Sequence, residues 1–350
     1  MNVDLLTGLA QFAIALIFLV IIHEFGHFIA ARLLKVEVEE FGIGFPPRAL
    51  TLFKVWGTKF TLNWLPLGGF VRPKGENDPN VPGGLAAAKP LVRLSVFLAG
   101  PAMNILLGFF FYALIFYQIG MPDPTRVQVV GIAENSPAAQ VGMKPGDEIV
   151  QVNDVKIDGQ TRLHDIIYAN LDKPIQVVYQ RSDETYTASL VPRSDPPAGE
   201  GAIGIVMGSP TAPSSWPQAI IAGGSAVYEH SIALFQLPIR MLQGSASPEE
   251  GRLVGFKGMF DIYQDARQGE IPLGMPRNVA VLFFFTNITI SLGLINLMPF
   301  PALDGGRILF VLPELLFRRR VPPEFENVVN LVGFAILVLL MLFINFREFI

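Results

Sequence analysis

Residues 10–34, AQFAIALIFLVIIHEFGHFIAARLL, decide how the rest of the chain is read. The apolar run begins near Leu5 and exceeds the roughly 20 residues needed to cross a bilayer, yet it carries His23, Glu24 and His27. Ionisable groups are costly at such depth and by default mark a functional site with partners elsewhere. In a helix, residues four apart share a face, so both imidazoles reach one metal ion. Glu24, beside the first of them, is placed to take a proton from a metal-bound water. A packed pair of histidines is the plainer alternative, and it leaves the cost of three ionisable groups unexplained.

The composition agrees with a membrane setting. Of 350 residues 51% are hydrophobic and the net charge is −4, while mean hydropathy is +0.44. The excess is gathered in blocks, so this reads as an integral membrane protein whose standing partner is the lipid bilayer. No basic tail or aromatic–basic interleaving points to nucleic acid. With no cysteine in the chain, a metal site has to use His and carboxylate. The N-terminus lacks the basic region and cleavage site of a signal peptide, so the first apolar run is expected to be retained.

Four segments have spanning length, at about 5–33, 94–119, 279–298 and 326–345. A basic loop with Arg32, Lys35, Arg48, Lys54, Lys59, Arg72, Lys74, Lys89 and Arg93 separates the first two. Arg307, Arg318, Arg319 and Arg320 lie between the last two. The positive-inside rule puts both basic loops in the cytoplasm, and both termini and the segment from about 120 to 278 outside. Within the first loop, TLFKVWGTKFTLNWLPLGGFVRP (51–73) alternates like strands and is broken by Pro66, Gly68 and Gly69. It is expected to form a cytoplasmic-side re-entrant β-loop dipping toward the site, followed by a mobile loop from Glu76 to Lys89. In the second span, AGPAMN suits close helix packing, and Asn104 reads as a bond between helices rather than as part of the chemistry.

Residues 123–194 read as an inserted α+β domain. RVQVVGIA and PIQVVYQ alternate like strands, and SPAAQVGMKPGDEIV supplies a short helix, a turn and a strand. LHDIIYAN places Leu163, Ile166, Ile167 and Asn170 on one helical face, with His164 in solvent. The SPAAQVGMKPGDEIVQVN pattern resembles a PDZ domain of the bacterial, circularly permuted kind. The resemblance implies a groove between the strand 127–132 and the helix from Leu163, which either takes extended peptides by strand addition or excludes bulky substrates. Residues 195–278 then form a Pro-rich linker and a periodic segment, WPQAIIAGGSAVYEHSIALFQLPIRML (216–242). That segment is expected to be an amphipathic helix at the outer interface, with His230 interfacial, rather than a fifth span.

The last membrane half, 279–350, contains FFFTNITISLGLINLMPFPALDGGRILF (283–310). Pro299 and Pro301 break its helix, and Gly305 and Gly306 allow close backbone approach. Asp304 either caps a turn or completes the metal site. Depth favours the second: His23 lies roughly 27 Å along the first span from Leu5, at about 1.5 Å per residue, and Asp304 follows a span crossing in the same direction. Two histidines and one carboxylate with a fourth position for water form the usual catalytic zinc arrangement. The domain division is therefore 1–122, 123–194, 195–278 and 279–350.

HEFGH, PLGGFV (66–71), AGPAMN (99–104), a PDZ-like insert, GFKGMF (255–260) and NLMPFPALDGG (296–306) together resemble the site-2 protease family over essentially the full length. These are M50-type intramembrane zinc metalloproteases, and the bacterial branch typified by the regulator-of-sigma-E protease is the nearest. The resemblance implies His23, His27 and Asp304 as zinc ligands, Glu24 as general base and Asn296 as a substrate-positioning residue. There are two departures. The chain has one PDZ-like domain where that branch has two, and GFKGMF stands where a GPVGI-like stretch is usual.

The expected reaction is hydrolysis of a peptide bond inside a substrate's transmembrane helix, in a multi-pass protein of the inner (plasma) membrane. The strand around Gly68 and Gly69 and the amide of Asn296 would hold the unwound segment. The insert would admit only substrates already shortened outside, such as a trimmed anti-sigma factor or remnant signal peptide. Two other classes compete. A metal transporter needs polar paths on both sides of the site, which the second and fourth spans do not provide. A silent PDZ-bearing scaffold would tolerate loss of Glu24.

Overall fold

The computed structural model describes residues 3–182, 184–197, 199–245, 254–269 and 276–348. The chain divides into a membrane unit, residues 1–115 with 216–350, and an inserted unit, residues 116–215. Four helices are long and apolar enough to cross a membrane: Val3–Leu33, Pro90–Ile119, Arg277–Asn296 and Pro323–Arg347.

Helix α1 (Val3–Leu33) is one uninterrupted element of 31 residues. At 1.5 Å per residue it is about 46 Å long, more than a hydrocarbon core of about 30 Å. Strands β1 (Val38–Val55) and β2 (Thr58–Pro73) follow. Both bend, at Pro46–Pro47 and near Gly68, so two chain segments make four ribbons. Glu40–Ile43 pairs with Gly69–Arg72 on one side and with Lys59–Leu62 on the other, and Arg48–Val55 covers the far edge. The expected β-loop therefore begins earlier than residue 51. Of the stretch FGIGFPPRAL (41–50), Phe41–Ile43 lies in an inner ribbon, which Glu40 ties by accepting from Arg48, Arg72 and Thr61. Phe53, Trp56, Trp64 and Leu65 stay exposed.

The loop after β2 is better anchored than its composition implies. Leu85 and Ala86 are buried, the Ala86 carbonyl accepts from Arg320 at 2.7 Å, and Glu76 pairs with Arg307. Helix α2 (Pro90–Ile119) then crosses α1 at Gly26, where a Cβ would collide with the Ala99 carbonyl. That close crossing is what brings α2 against the histidines of α1.

In the inserted unit, β3 (Met121–Pro122) and β10 (Thr211–Ala212) pair near its two ends. Between them come β4 (Val127–Ile132), α3 (Pro137–Gln140), β5 (Glu148–Val152), β6 (Val155–Lys156), α4 (Gln160–Ala169), β7 (Ile175–Arg181), β8 (Glu184–Leu190) and β9 (Ile205–Gly208). The sheet runs β8-β7-β5-β4-β9, antiparallel throughout, with β6 on β5. Val127, Val129, Ile149, Leu163 and Val177 form its core, with Ile203 beside them. Leu163 and Ile167 face inward from α4 and Ile166 packs against them, while His164 is solvated and stacks on Tyr168.

Two expectations are corrected here. The boundary at 194 falls inside the unit: Pro and Gly spacing reads as a linker, yet Ala202 and Ile203 are buried and β9 joins β4. The strand 127–132 is also less open than expected: β9 pairs along it from Gln128 to Ile132, and β5 takes Val127 and Gln128 on the other side.

Helix α5 (Trp216–Leu242) packs Gly223 against Ala113 of α2. Its His230 lies 3.1 Å from Ser291 and 3.4 Å from the Tyr112 hydroxyl, so the expected interfacial helix is partly held among other helices. Helix α6 (Phe256–Gln268) holds GFKGMF at its start. There the amides of Gly255 and Gly258 donate to Glu348 at 2.7 and 3.1 Å, and Phe256 donates to Asn345. A side chain at 255 or 258 would press on that carboxylate, which accounts for both glycines. Helix α7 (Arg277–Asn296), a turn over 297–303, α8 (Asp304–Phe317) and α9 (Pro323–Arg347) complete the chain.

Candidate metal centre

The HEFGH stretch lies mid-helix in α1, where its i,i+4 spacing points both imidazoles to one side. The carboxylate comes from elsewhere. After α7 ends at Asn296 the chain turns through the two prolines, and Asp304 opens α8, where a negative side chain also suits the helix N-terminus. Gly305 is required by this turn, since a Cβ there would run into the Leu297 and Met298 carbonyls.

His23 Nε2 and His27 Nε2 lie 3.1 and 3.3 Å from Asp304 Oδ2, and 3.2 Å from each other. Tetrahedral zinc with ligands at about 2.05 Å requires ligand atoms about 3.3 Å apart, so the triangle has the size of one face of such a site. The donor set fits as well: two imidazole nitrogens and a carboxylate oxygen aimed at one point repel one another unless a cation or protons lie between them. This is the one His/Cys/Asp/Glu group of that geometry among the described residues.

The outer partners come from α2. His27 Nδ1 donates to the Val96 carbonyl at 2.8 Å, which leaves Nε2 free as a ligand. Asn104 lies two turns further on, fully buried, its amide 3.4 Å from His23 Nδ1 and its Oδ1 without a partner among the described residues. Between them sits Gly100, where a Cβ would strike the His27 ring. The sequence reading left Asn104 outside the site. A polar residue one helical face away from a histidine carries no local signal, and a backbone carbonyl such as that of Val96 carries none at all.

A cavity of about 350 Å³ opens onto the group. Glu24 lines it beside Gly69 and Val71 of β2, and accepts a hydrogen bond from the Val71 backbone. A Cβ on Gly69 would stand 3.3 Å from Glu24 Cγ. Gly68 has a left-handed φ of 93° with the Phe45 ring over it, and is set back from the carboxylate. Asn296 also lines the cavity, and its Nδ2 donates to the Leu292 carbonyl at 3.0 Å. His164 and His230 take no part in the group.

The family model described as "Peptidase family M50" matches residues 11–340. The "Putative zinc metalloprotease Cj1068" of Campylobacter jejuni is 33% identical, covering 95% of this chain and 90% of that protein. The "Probable protease eep" of Enterococcus faecalis is 24% identical over 94% of this chain and 96% of its own length. Among solved structures, the PDZ domain of an SdrC-like protein from Listeria monocytogenes is 21% identical, covering 24% of this chain and 87% of that one, at a TM-score of 0.22.

Proposed function

From the premise that this chain belongs to peptidase family M50, with zinc as its cofactor, we propose that it is a site-2-type protease that hydrolyses peptide bonds within transmembrane segments. The observation that carries the reading is the convergence of His23, His27 and Asp304 with Glu24 in one cavity on apolar helices.

His23, His27 and Asp304 would hold zinc, which supplies Lewis acidity to polarise the scissile carbonyl and acidify a water. Glu24, next in sequence to His23, accepts the proton of the attacking water and delivers it to the leaving amine. Its neighbour Gly69 leaves the space in which a substrate backbone can lie beside that carboxylate. Gly69–Arg72 is paired on one side only among the described residues, with Glu40–Ile43, and its other side faces the cavity. An unwound substrate segment can add there as a strand. Asn296, which lines the cavity, and Gly68 assist in holding it.

The same reading places the protein in the inner (plasma) membrane, with the basic loops cytoplasmic and the termini and inserted unit outside. Its substrates are membrane proteins already shortened outside, such as an anti-sigma factor or a remnant signal peptide, and the insert screens them.

The deciding experiment is Glu24→Gln in the full-length protein. Zinc content should match wild type, while cleavage of a co-expressed membrane substrate falls by about 10²–10⁴-fold and uncut fragments accumulate on the variant. Intact processing by the variant, or no zinc in the wild type, overturns the reading.

A further inference from the structure

We propose that Asn104 is a positioning residue of the metal centre: its side-chain oxygen accepts a hydrogen bond from His23 Nδ1–H and so holds Nε2 as the ligand. This rests on the zinc reading above and extends it to a residue outside the ligand set.

Three observations carry it. First, Nε2 of His23 is the nitrogen that faces Asp304 and His27, at 3.1 and 3.2 Å. A nitrogen that binds a cation gives up its proton, so in the neutral ring the proton resides on Nδ1. Second, the only side-chain amide hydrogen-bonded to Nδ1 among the described residues is that of Asn104, at 3.4 Å and wholly buried. Amide nitrogen toward Nδ1–H would set two donors against each other, while the Asn104 oxygen has no partner among the described residues. A half-turn of the amide about its terminal bond replaces that clash with a donor–acceptor pair. Third, His27 is already held in this way, its Nδ1 donating to Val96 O at 2.8 Å. Val96 and Asn104 are eight residues apart, close to two turns, and so on nearly the same face of α2. One helix thus supplies the acceptor for both ligand imidazoles.

The position of Asn104 is set independently of the metal. Its carbonyl accepts from the Thr289 hydroxyl at 3.2 Å, and Gly293 of α7 lets the helices close around it, a Cβ there lying 3.3 Å from Asn104 Cβ. The amide is therefore presented to His23 by the α2–α7 contact.

The test uses full-length protein in detergent, titrated with a zinc chelator of known affinity. Asn104→Leu, which keeps the volume and removes the acceptor, should weaken zinc binding by about 10–100-fold. Asn104→Asp restores an acceptor and should stay within a few-fold of wild type. Thr286→Val, which removes another buried hydroxyl of α7, one that bonds only within its own helix, should bind zinc as wild type does. Wild-type affinity in Asn104→Leu, or equal weakening in the Leu and Asp variants, overturns the proposal. Cobalt-loaded protein provides a readout should the Leu variant fail to fold. The visible bands should shift in Asn104→Asp, where a carboxylate makes His23 a stronger donor, and remain in place in Thr286→Val; unshifted bands in the Asp variant overturn the proposal. A wild type that binds no zinc removes the metal reading as a whole, whereas zinc-loaded variants indistinguishable from wild type remove only the role of Asn104.

Discussion

Gly69 and Glu24 stand so close that a Cβ on the glycine would lie 3.3 Å from Cγ of the carboxylate. The residues belong to different elements, and the missing side chain is what leaves room at the base. Gly69→Ala should therefore lower cleavage several-fold. Gly69→Leu should lower it by more than about 10²-fold, the scale of a 1 Å misplacement at a reacting centre. Zinc content should hold in both, since neither touches a ligand. Assays of substrate cleavage alongside metal analysis check this.

Asp147 is fully buried in the inserted unit and accepts from Arg181 at 2.7 and 2.8 Å and from the Lys144 amide at 2.8 Å. Burial pushes its carboxyl up, but these hydrogen bonds outweigh it and hold the group below its ordinary range. A carboxyl depressed by folding stabilises at pH above its unfolded value of about 3.9, and that contribution fades as pH falls below it. Asp147→Ala should cost about 1–3 kcal/mol at neutral pH, and the gap to wild type should narrow as the pH falls below about 4. Peroxide oxidation of the buried Met143 across a urea series reads this unit's unfolding within the whole protein.

Glu348 closes the start of α6 by accepting from two backbone amides. Glu348→Ala should weaken that end by about 1–2 kcal/mol, as loss of a helix cap does. Amide exchange at 256–260 should rise by about tenfold or more, while exchange in the inserted unit is unchanged. Hydrogen–deuterium exchange with mass spectrometry distinguishes the two regions.

The chain has no cysteine, so a single introduced thiol reports its own side of the membrane. Tyr168→Cys in α4 and Trp56→Cys between β1 and β2 are at exposed positions. An impermeant maleimide applied to intact cells should label the first and spare the second until the membrane is opened. The opposite pattern would invert the proposed orientation.

Much of this protein is legible one residue at a time. Four apolar runs of sufficient length, the i,i+4 imidazoles of α1 and the exclusion of thiolate ligands all follow from residue type and local spacing, because span length and helical period are local properties. The same locality explains the errors. PRSDPPAGEG looks like a linker because prolines and glycines disfavour regular structure, but β9 beyond it is stabilised by β4, some 75 residues earlier in the chain. NDPNVPGGLAAA looks mobile, yet its Leu85 and Ala86 are buried and the Ala86 carbonyl accepts from Arg320, 234 residues away in sequence.

Only the tertiary structure decided how the centre is assembled. Asp304 lies 281 residues from His23 in sequence and 3.1 Å from it in space. The Val96 carbonyl differs from no other carbonyl in the chain, and Asn104 from no other buried amide, until α2 crosses α1 at Gly26 and brings both against the imidazoles. HEFGH by itself determined which atoms are able to bind a metal and in what spacing. Which proton each ring keeps, and which carboxylate completes the site, depend on helix crossings that short-range periodicity does not encode.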